Sequence, residues 1–188
     1  PPVPTAGPTP PNPYPPFQTL PDRRSLFLGL QYSFTKLPEP MRPRPADPRL
    51  GHFVDEVWDF SDDHNRTARQ NWVRRWRLEK KDATAALSEP VKPIVYWIDR
   101  NVPENYRDAV RDGILEWNKA FERIGFKDAI QVEIQPGNAD WSTADAHHAS
   151  VRWYAGIDTG FAIGPTVTDP RTGEILDADI AIPEAWTR

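Results

Sequence analysis

The sequence predicts an α+β fold: a small twisted mixed sheet with one long backing helix, preceded by a proline-rich, extended N-terminus. Three observations carry that prediction. The apolar run Ile94-Val95-Tyr96-Trp97-Ile98 is bounded by Pro93 and Asp99, the pattern of a strand buried on both faces. Tyr106, Val110, Ile114, Trp117, Phe121 and Ile124 recur at helical spacing and form one apolar stripe. Ile130 to Ile134 then alternates, so the order is strand, helix, strand, which a right-handed parallel crossover satisfies.

The chain divides into three regions. Residues 1–25 read as a Pro-rich linker or strap. The 22 prolines of the chain crowd its first quarter, and each fixes φ and removes an amide donor, so this stretch builds neither helix nor ladder. A Pro-rich ligand for an aromatic groove is the sharper alternative. Residues 26–90 read as an accessory β-rich segment. Leu26 to Phe34 is apolar and predicts a strand. Pro38, Pro40, Pro43, Pro45 and Pro48 then predict an extended loop. His52 to Phe60 reads as a strand that buries Phe53, Val57 and Trp58, and Ser61 to Asn65 as a turn. Trp72, Arg74, Trp76 and Leu78 share one parity, which favours a strand with Trp72 and Trp76 inward; a short helix fits the same residues. Glu79 to Ser88 is a polar connector with a helical turn at Ala83 to Leu87.

Residues 91–188 hold the strongest signals. Pro103 opens the helix and Gly125 sits where a left-handed C-terminal cap belongs. Pro136 to Ser150 is a polar loop, and Val151 to Tyr154 a short strand. Phe161 to Val167 and Ile175 to Ile182 flank Asp169-Pro170-Arg171-Thr172-Gly173, a hairpin loop with a bulge. In the second arm Leu176, Ala178, Ile180 and Ile182 face one way, and Asp177, Asp179 and Ala181 the other.

Composition narrows the function. The net charge of −4 is modest and the charges are interspersed, which argues against nucleic acid as a partner. No apolar run is long enough for a membrane span. Cysteine is absent, which excludes disulfides and thiolate metal sites. Eight Trp and eight Phe supply material for a core.

Three strings, in this order and spacing, carry a resemblance. They are Trp76-Arg77-Leu78-Glu79-Lys80-Lys81, Pro93 to Asp99 through Trp117-Asn118-Lys119-Ala120-Phe121-Glu122 to Gly125-Phe126, and Ile163-Gly164-Pro165 through Asp169-Pro170-Arg171-Thr172-Gly173-Glu174-Ile175-Leu176-Asp177-Ala178-Asp179-Ile180. Together they resemble bacterial zinc-dependent metalloproteases of the metzincin type. Ala46 to Phe53 is similar to the segment preceding that catalytic domain. The resemblance implies the upper subdomain of a metzincin-like fold from Pro93 onward. It implies a secreted or periplasmic zinc metallopeptidase as the parent, with zinc as its cofactor and a peptide or protein as its substrate. It also implies a C-terminal half of the catalytic domain as the partner of this piece.

The His-x-x-x-His spacing that sets two imidazoles on one helical face is absent. The expectation is therefore that no catalytic or metal-binding residue lies in this chain and that it is inactive alone. The resemblance implies that its contribution is an antiparallel edge strand, Ile175, Leu176, Asp177, Ala178, Asp179 and Ile180, which pairs with an extended substrate. The alternative is a standalone, non-catalytic peptide- or protein-binding module.

Other polar groups are candidate sites. His147 and His148, with Asp145 or Asp140, suggest a metal, but adjacent side chains of an extended segment diverge. Asp177 and Asp179 suggest calcium only if further oxygens converge. Asp47, flanked by arginines, suggests a latency carboxylate or a plain salt-bridged loop. Asn65-Arg66-Thr67 has the form of a glycosylation triplet. Arg74 to Arg77 among tryptophans reads as cation–π packing within the fold.

Overall fold

The computed structural model of the protein describes residues 27, 29–64, 67–154 and 160–187. The chain runs β1 (Val54–Trp58), β2 (Arg69–Val73), β3 (Ile94–Ile98), α1 (Glu104–Leu115), α2 (Asn118–Arg123), β4 (Ile130–Ile134), β5 (Ser150–Tyr154), β6 (Thr166–Asp169), β7 (Glu174–Ala178) and β8 (Ile180–Pro183). A 3-10 turn, Glu184–Thr187, follows. The fold is α+β. Its main sheet has the order β4-β3-β5-β8. Every neighbouring pair in it is parallel, with Ile94 opposite Ile130 and Val151 opposite Ile180. Antiparallel pairing is confined to the β1–β2 and β6–β7 ribbons and to isolated bridges. The expected parallel and antiparallel pairings are thus divided among three sheets.

The crossover from β3 to β4 runs through the helix, as the strand, helix, strand order predicts. Its best-buried apolar side chains are Ile98 and Val102, with Val151 from β5 beside them. The helix itself is divided. After α1 the Trp117 N–H bonds the Ile114 carbonyl at 3.2 Å and the Ala120 N–H bonds that of Trp117 at 3.0 Å, the tighter three-residue pattern. Asn118 supplies the reason. Its Nδ2 donates to the Ile130 carbonyl and its Oδ1 accepts the Ile130 N–H, each at 2.9 Å. Pro103 is the N-cap rather than the first helical residue. Gly125 ends α2 at φ +90, with the Ala86 carbonyl and Lys80 Nζ where a Cβ would stand.

Residues 1–25, read as a linker or strap, lie outside the described residues; it is the proline-rich loop at 38–46, called the strap from here on, that is held by guanidinium groups. Arg171 donates to the Pro38 carbonyl at 2.8 Å, Arg77 to that of Glu39 at 2.5 Å and Arg75 to that of Arg42 at 2.7 Å. The Val73 N–H then bonds the Arg44 carbonyl, the Ala46 N–H bonds Asn71, and Pro45 lies opposite Trp72. Prolines keep their carbonyls but lose their amides, so a segment rich in them is held by donors from outside.

Several expectations need correction. Among the described residues of Leu26 to Phe34 there is no strand, and Leu30, Tyr32 and Phe34 are exposed. Phe53 and Trp58 are 85% and 60% exposed; among the described residues nothing buries them. In β2 the buried residue is Val73, of opposite parity to Trp72. The strand Ile175 to Ile182 is not continuous: Asp179 interrupts it, β7 joins the β6 ribbon, and β8 joins the main sheet.

Candidate functional site

The site begins at the hairpin loop, whose sequence dictates its shape. Asp169 is fully buried and accepts the Arg171 N–H at 2.9 Å, while Arg171 Nη2 closes on its other oxygen at 2.7 Å. The Arg171 guanidinium holds the Asp169 carboxyl below the usual range. Gly173 adopts φ +73 and approaches so closely that a Cβ there would stand 2.5 Å from the Val73 carbonyl. The ribbon is thereby stitched to the accessory segment. Arg75 N–H bonds the Gly173 carbonyl and Ile175 N–H the Arg75 carbonyl, both at 2.9 Å. The buried Glu174 carboxylate takes two bonds from Arg77, at 2.8 and 2.5 Å.

The six residues expected to form a peptide-pairing edge are placed as follows. Ile175 to Ala178 pair with β6 on one side, and Ile175 meets Arg75 on the other. Ile180 belongs to β8, the terminal strand of the main sheet, which runs parallel to β5. The outer border of β8 is taken by the first hairpin arm. The Asp179 N–H bonds the Pro165 carbonyl at 3.1 Å, and Ala181 and Ile163 exchange bonds at 2.8 and 3.1 Å. The antiparallel segment outermost on this side is therefore 163–165, not Ile175 to Ile180. The sequence reading placed that edge on the other arm; Pro165 beside Gly164 is the local signal for a segment that ends a sheet.

Asp177 and Asp179 sit in contrasting settings. Asp179 Oδ1 accepts the Ser150 N–H at 3.1 Å and lies 2.6 Å from the Ser150 hydroxyl, tying β5 to the break between β7 and β8. Asp177 is 5% exposed and its Oδ1 has no hydrogen-bond partner. Burial, reinforced by the charge of Asp179, pushes its carboxyl up to about 6. The same two carboxylates, after burial, hold the Tyr96 hydroxyl proton on.

Tyr96 also lines a cleft of about 570 Å³ between the helix and the main sheet. Ile94, Val110, Ile114, Ile180 and Ile182 line it, and Trp76 and Trp117 flank it. No α1 side chain is fully buried. The apolar stripe read from the sequence thus faces the sheet across a gap.

The other groups do not converge. His147 Nδ1 lies 2.5 Å from Asp145 and its Nε2 3.2 Å from Thr35 Oγ1. His148 turns the other way and stacks on Trp141, ring centroids 3.8 Å apart. Among the described residues no three His, Asp or Glu side chains form a metal-binding group. Asp47 is gripped by its neighbour Arg49, 2.6 Å away, and the strap is anchored by more distant arginines instead. Arg74, Arg75 and Arg77 engage Asp55, the Arg42 carbonyl and Glu174; the expected stacking on indole is replaced by bonds to oxygen. Asn65 and Arg66 lie outside the described residues. Among the described residues no helix is long and apolar enough to cross a membrane.

Residues 15–81 match a family described as a domain of unknown function (DUF5117). That match takes in the strap, β1, β2 and the arginines after them, and stops before β3. No curated protein matches the chain. No solved structure matches it either.

Proposed function

We propose that this chain is the N-terminal portion of a zinc-dependent metalloendopeptidase, forming one wall of the peptide groove and none of the metal site. The observation that carries the reading is the apolar cleft between α1 and the main sheet, which no described residue fills. A domain core does not leave isoleucines and tryptophans facing a gap of that size without a neighbour to fill it. The resemblance supplies the identity of the neighbour: the metal-bearing half of a catalytic domain. The substrate-pairing border is the outer side of 163–165, where Ile163 and Pro165 are exposed beyond β8. A bound peptide adds there by main-chain hydrogen bonds.

The test is an activity comparison. The longest polypeptide that the gene encodes around this chain is assayed on a fluorogenic peptide library, beside residues 1–188 alone. Zinc-dependent, chelator-sensitive cleavage by the longer polypeptide and none by the chain is the expected result. Absence of peptidase activity in the longer polypeptide with zinc supplied sinks the reading.

The second reading, a binding module that works alone, is favoured by the other end of the sheet. There β4 is the terminal strand, and among the described residues no strand lies against its outer side.

A further inference from the structure

The β4 border of the main sheet presents main-chain groups in one fixed register. The Ile94 N–H bonds the Ala129 carbonyl, and the Gln135 N–H bonds that of Ile98. Successive residues of a paired strand turn these groups to opposite sides. Those of Ala129, Gln131, Glu133 and Gln135 therefore turn toward β3, and those of Ile130, Val132 and Ile134 turn outward. Asn118 occupies both groups of Ile130. Among the described residues nothing bonds the outward N–H and C=O of Val132 or of Ile134. These residues form a docking edge, and Asn118 marks where it stops.

The side chains give this edge a character. Ile130 lines the cleft against α1, so Val132 and Ile134 share the helix side while Gln131 and Glu133 lie on the other. Val132 is half-buried and Ile134 is 46% exposed. A hollow of about 480 Å³ runs beside the edge, with Leu115, Asp128, Val132 and Glu133 among its walls. Its charges do not balance. Lys81 is paired with Glu89 at 2.7 Å, whereas Lys127 stands 3.9 Å from Asp128. The exposed Glu133 carboxylate has no ion pair among the described residues. The uncompensated charge along the edge is negative.

A second copy does not suit it. Two chains that meet antiparallel with Val132 opposite Ile134 use every outward group, but they set Glu133 directly against its counterpart, where like charges repel. The neighbouring register, Val132 opposite Val132, brings Ile134 to an Ile130 whose groups Asn118 already holds. A strand of different sequence escapes both conflicts.

We infer that the outer edge of β4 takes up an extended segment of another protein with the pattern apolar, basic, apolar. It pairs antiparallel with Val132 and Ile134. Its Lys or Arg stands opposite Glu133, at the non-hydrogen-bonded position where side chains approach most closely. Its apolar neighbours lie on the helix side with Val132 and Ile134. The inference rests on the second reading above, a module that binds a partner, and adds the partner's chemistry. This edge lies at the opposite end of the sheet from 163–165, so the peptidase assay is independent of it.

The test titrates the full, isotope-labelled chain with a hairpin peptide, followed by NMR. An Asn-Gly turn fixes the hairpin, and its outer strand carries Val-Lys-Val. Twins carry norleucine or Glu in place of Lys, and a fourth hairpin is N-methylated at the outward amides of the two Val residues. The amide signals of Val132 and Ile134 are expected to shift and their exchange with solvent to slow. The Lys hairpin should bind about threefold tighter than the norleucine twin and the Glu twin about threefold weaker, the size of one cross-strand charge pair. The N-methylated hairpin should not bind. Glu133→Lys, made on an exposed side chain, should reverse the order of Lys and Glu. Shifts that spare Val132 and Ile134, equal binding of the N-methylated hairpin, equal binding of the Lys and Glu hairpins, or an unchanged order in Glu133→Lys overturns the inference and leaves the binding-module reading in place. Binding of none of the hairpins overturns the inference and takes the support of that reading with it. Light scattering that shows a dimer undisturbed by the Lys hairpin assigns the edge to a second copy and also overturns it. The hairpin series is read on the unaltered chain and decides the matter if Glu133→Lys misfolds.

Discussion

Asn118 holds both backbone polar groups of Ile130, one with its amide nitrogen and one with its amide oxygen, at 2.9 Å each. Because β4 is a terminal strand, the pair stands where a neighbouring strand would otherwise bond. A single side chain thereby caps the sheet border and fixes where the helix turns toward it. Asn118→Ala is expected to destabilise the chain by about 1–3 kcal/mol, two hydrogen bonds to half-buried backbone groups. Urea denaturation followed by Trp fluorescence checks this, and an unchanged midpoint refutes the cap.

Two glycines predict opposite signs. Gly173 combines φ +73 with a backbone carbonyl 2.5 Å from any Cβ. Gly173→Ala is expected to cost at least about 1–2 kcal/mol from the backbone conformation alone. Gly113 has helical neighbours and open space, so Gly113→Ala is expected to gain about 0.5–1 kcal/mol. Thermal melts of the two variants side by side test the pair.

The Glu174–Arg77 pair joins the accessory segment to the hairpin with its carboxylate buried. Arg77→Met strands that charge and is expected to cost about 3 kcal/mol. Adding Glu174→Gln should recover part of the loss. A double-mutant cycle with no coupling energy contradicts the assignment.

Asp177 predicts a pH dependence. Its folded-state carboxyl is raised to about 6 from an ordinary 3.8. The folded chain therefore holds this proton more tightly than the unfolded chain does. The contribution to stability is full below about pH 4, is lost as pH rises through about 6, and then levels off. The span amounts to about 3 kcal/mol. Asp169 and Asp145 are held low by Arg171 and His147 and act in the opposite sense at acid pH. The difference between the native chain and Asp177→Asn isolates the effect. It should widen from pH 4 to 7 in favour of the variant, and a flat difference over that range refutes it.

Local pattern made much of the fold legible. The apolar run at Ile94 to Ile98, the Gly125 cap and the Asp169 to Gly173 loop each follow from a few adjacent residues, and each stands where the sequence puts it. What was illegible depends on residues far apart in the chain. The helix break needs Asn118 to find Ile130. The split of the second hairpin arm at Asp179 needs Ser150 and Pro165. Trp58 reads as core by type, but only tertiary context shows that no described residue buries it. Of the candidate site, the residues were legible and their neighbours were not. Nothing in the order Asp177-Ala178-Asp179 says which carboxylate will find donors.

The strap carries one more consequence. Alternate residues of it face away from β2, and with Arg44 and Ala46 turned inward the outward ones are Pro43 and Pro45. That rim offers carbonyls without a single amide at those two positions, so a stray strand that docks along it finds acceptors and no donors. On its β2 side the ribbon is in this way closed to fibrillar growth by imino acids that side-chain guanidiniums help hold in place.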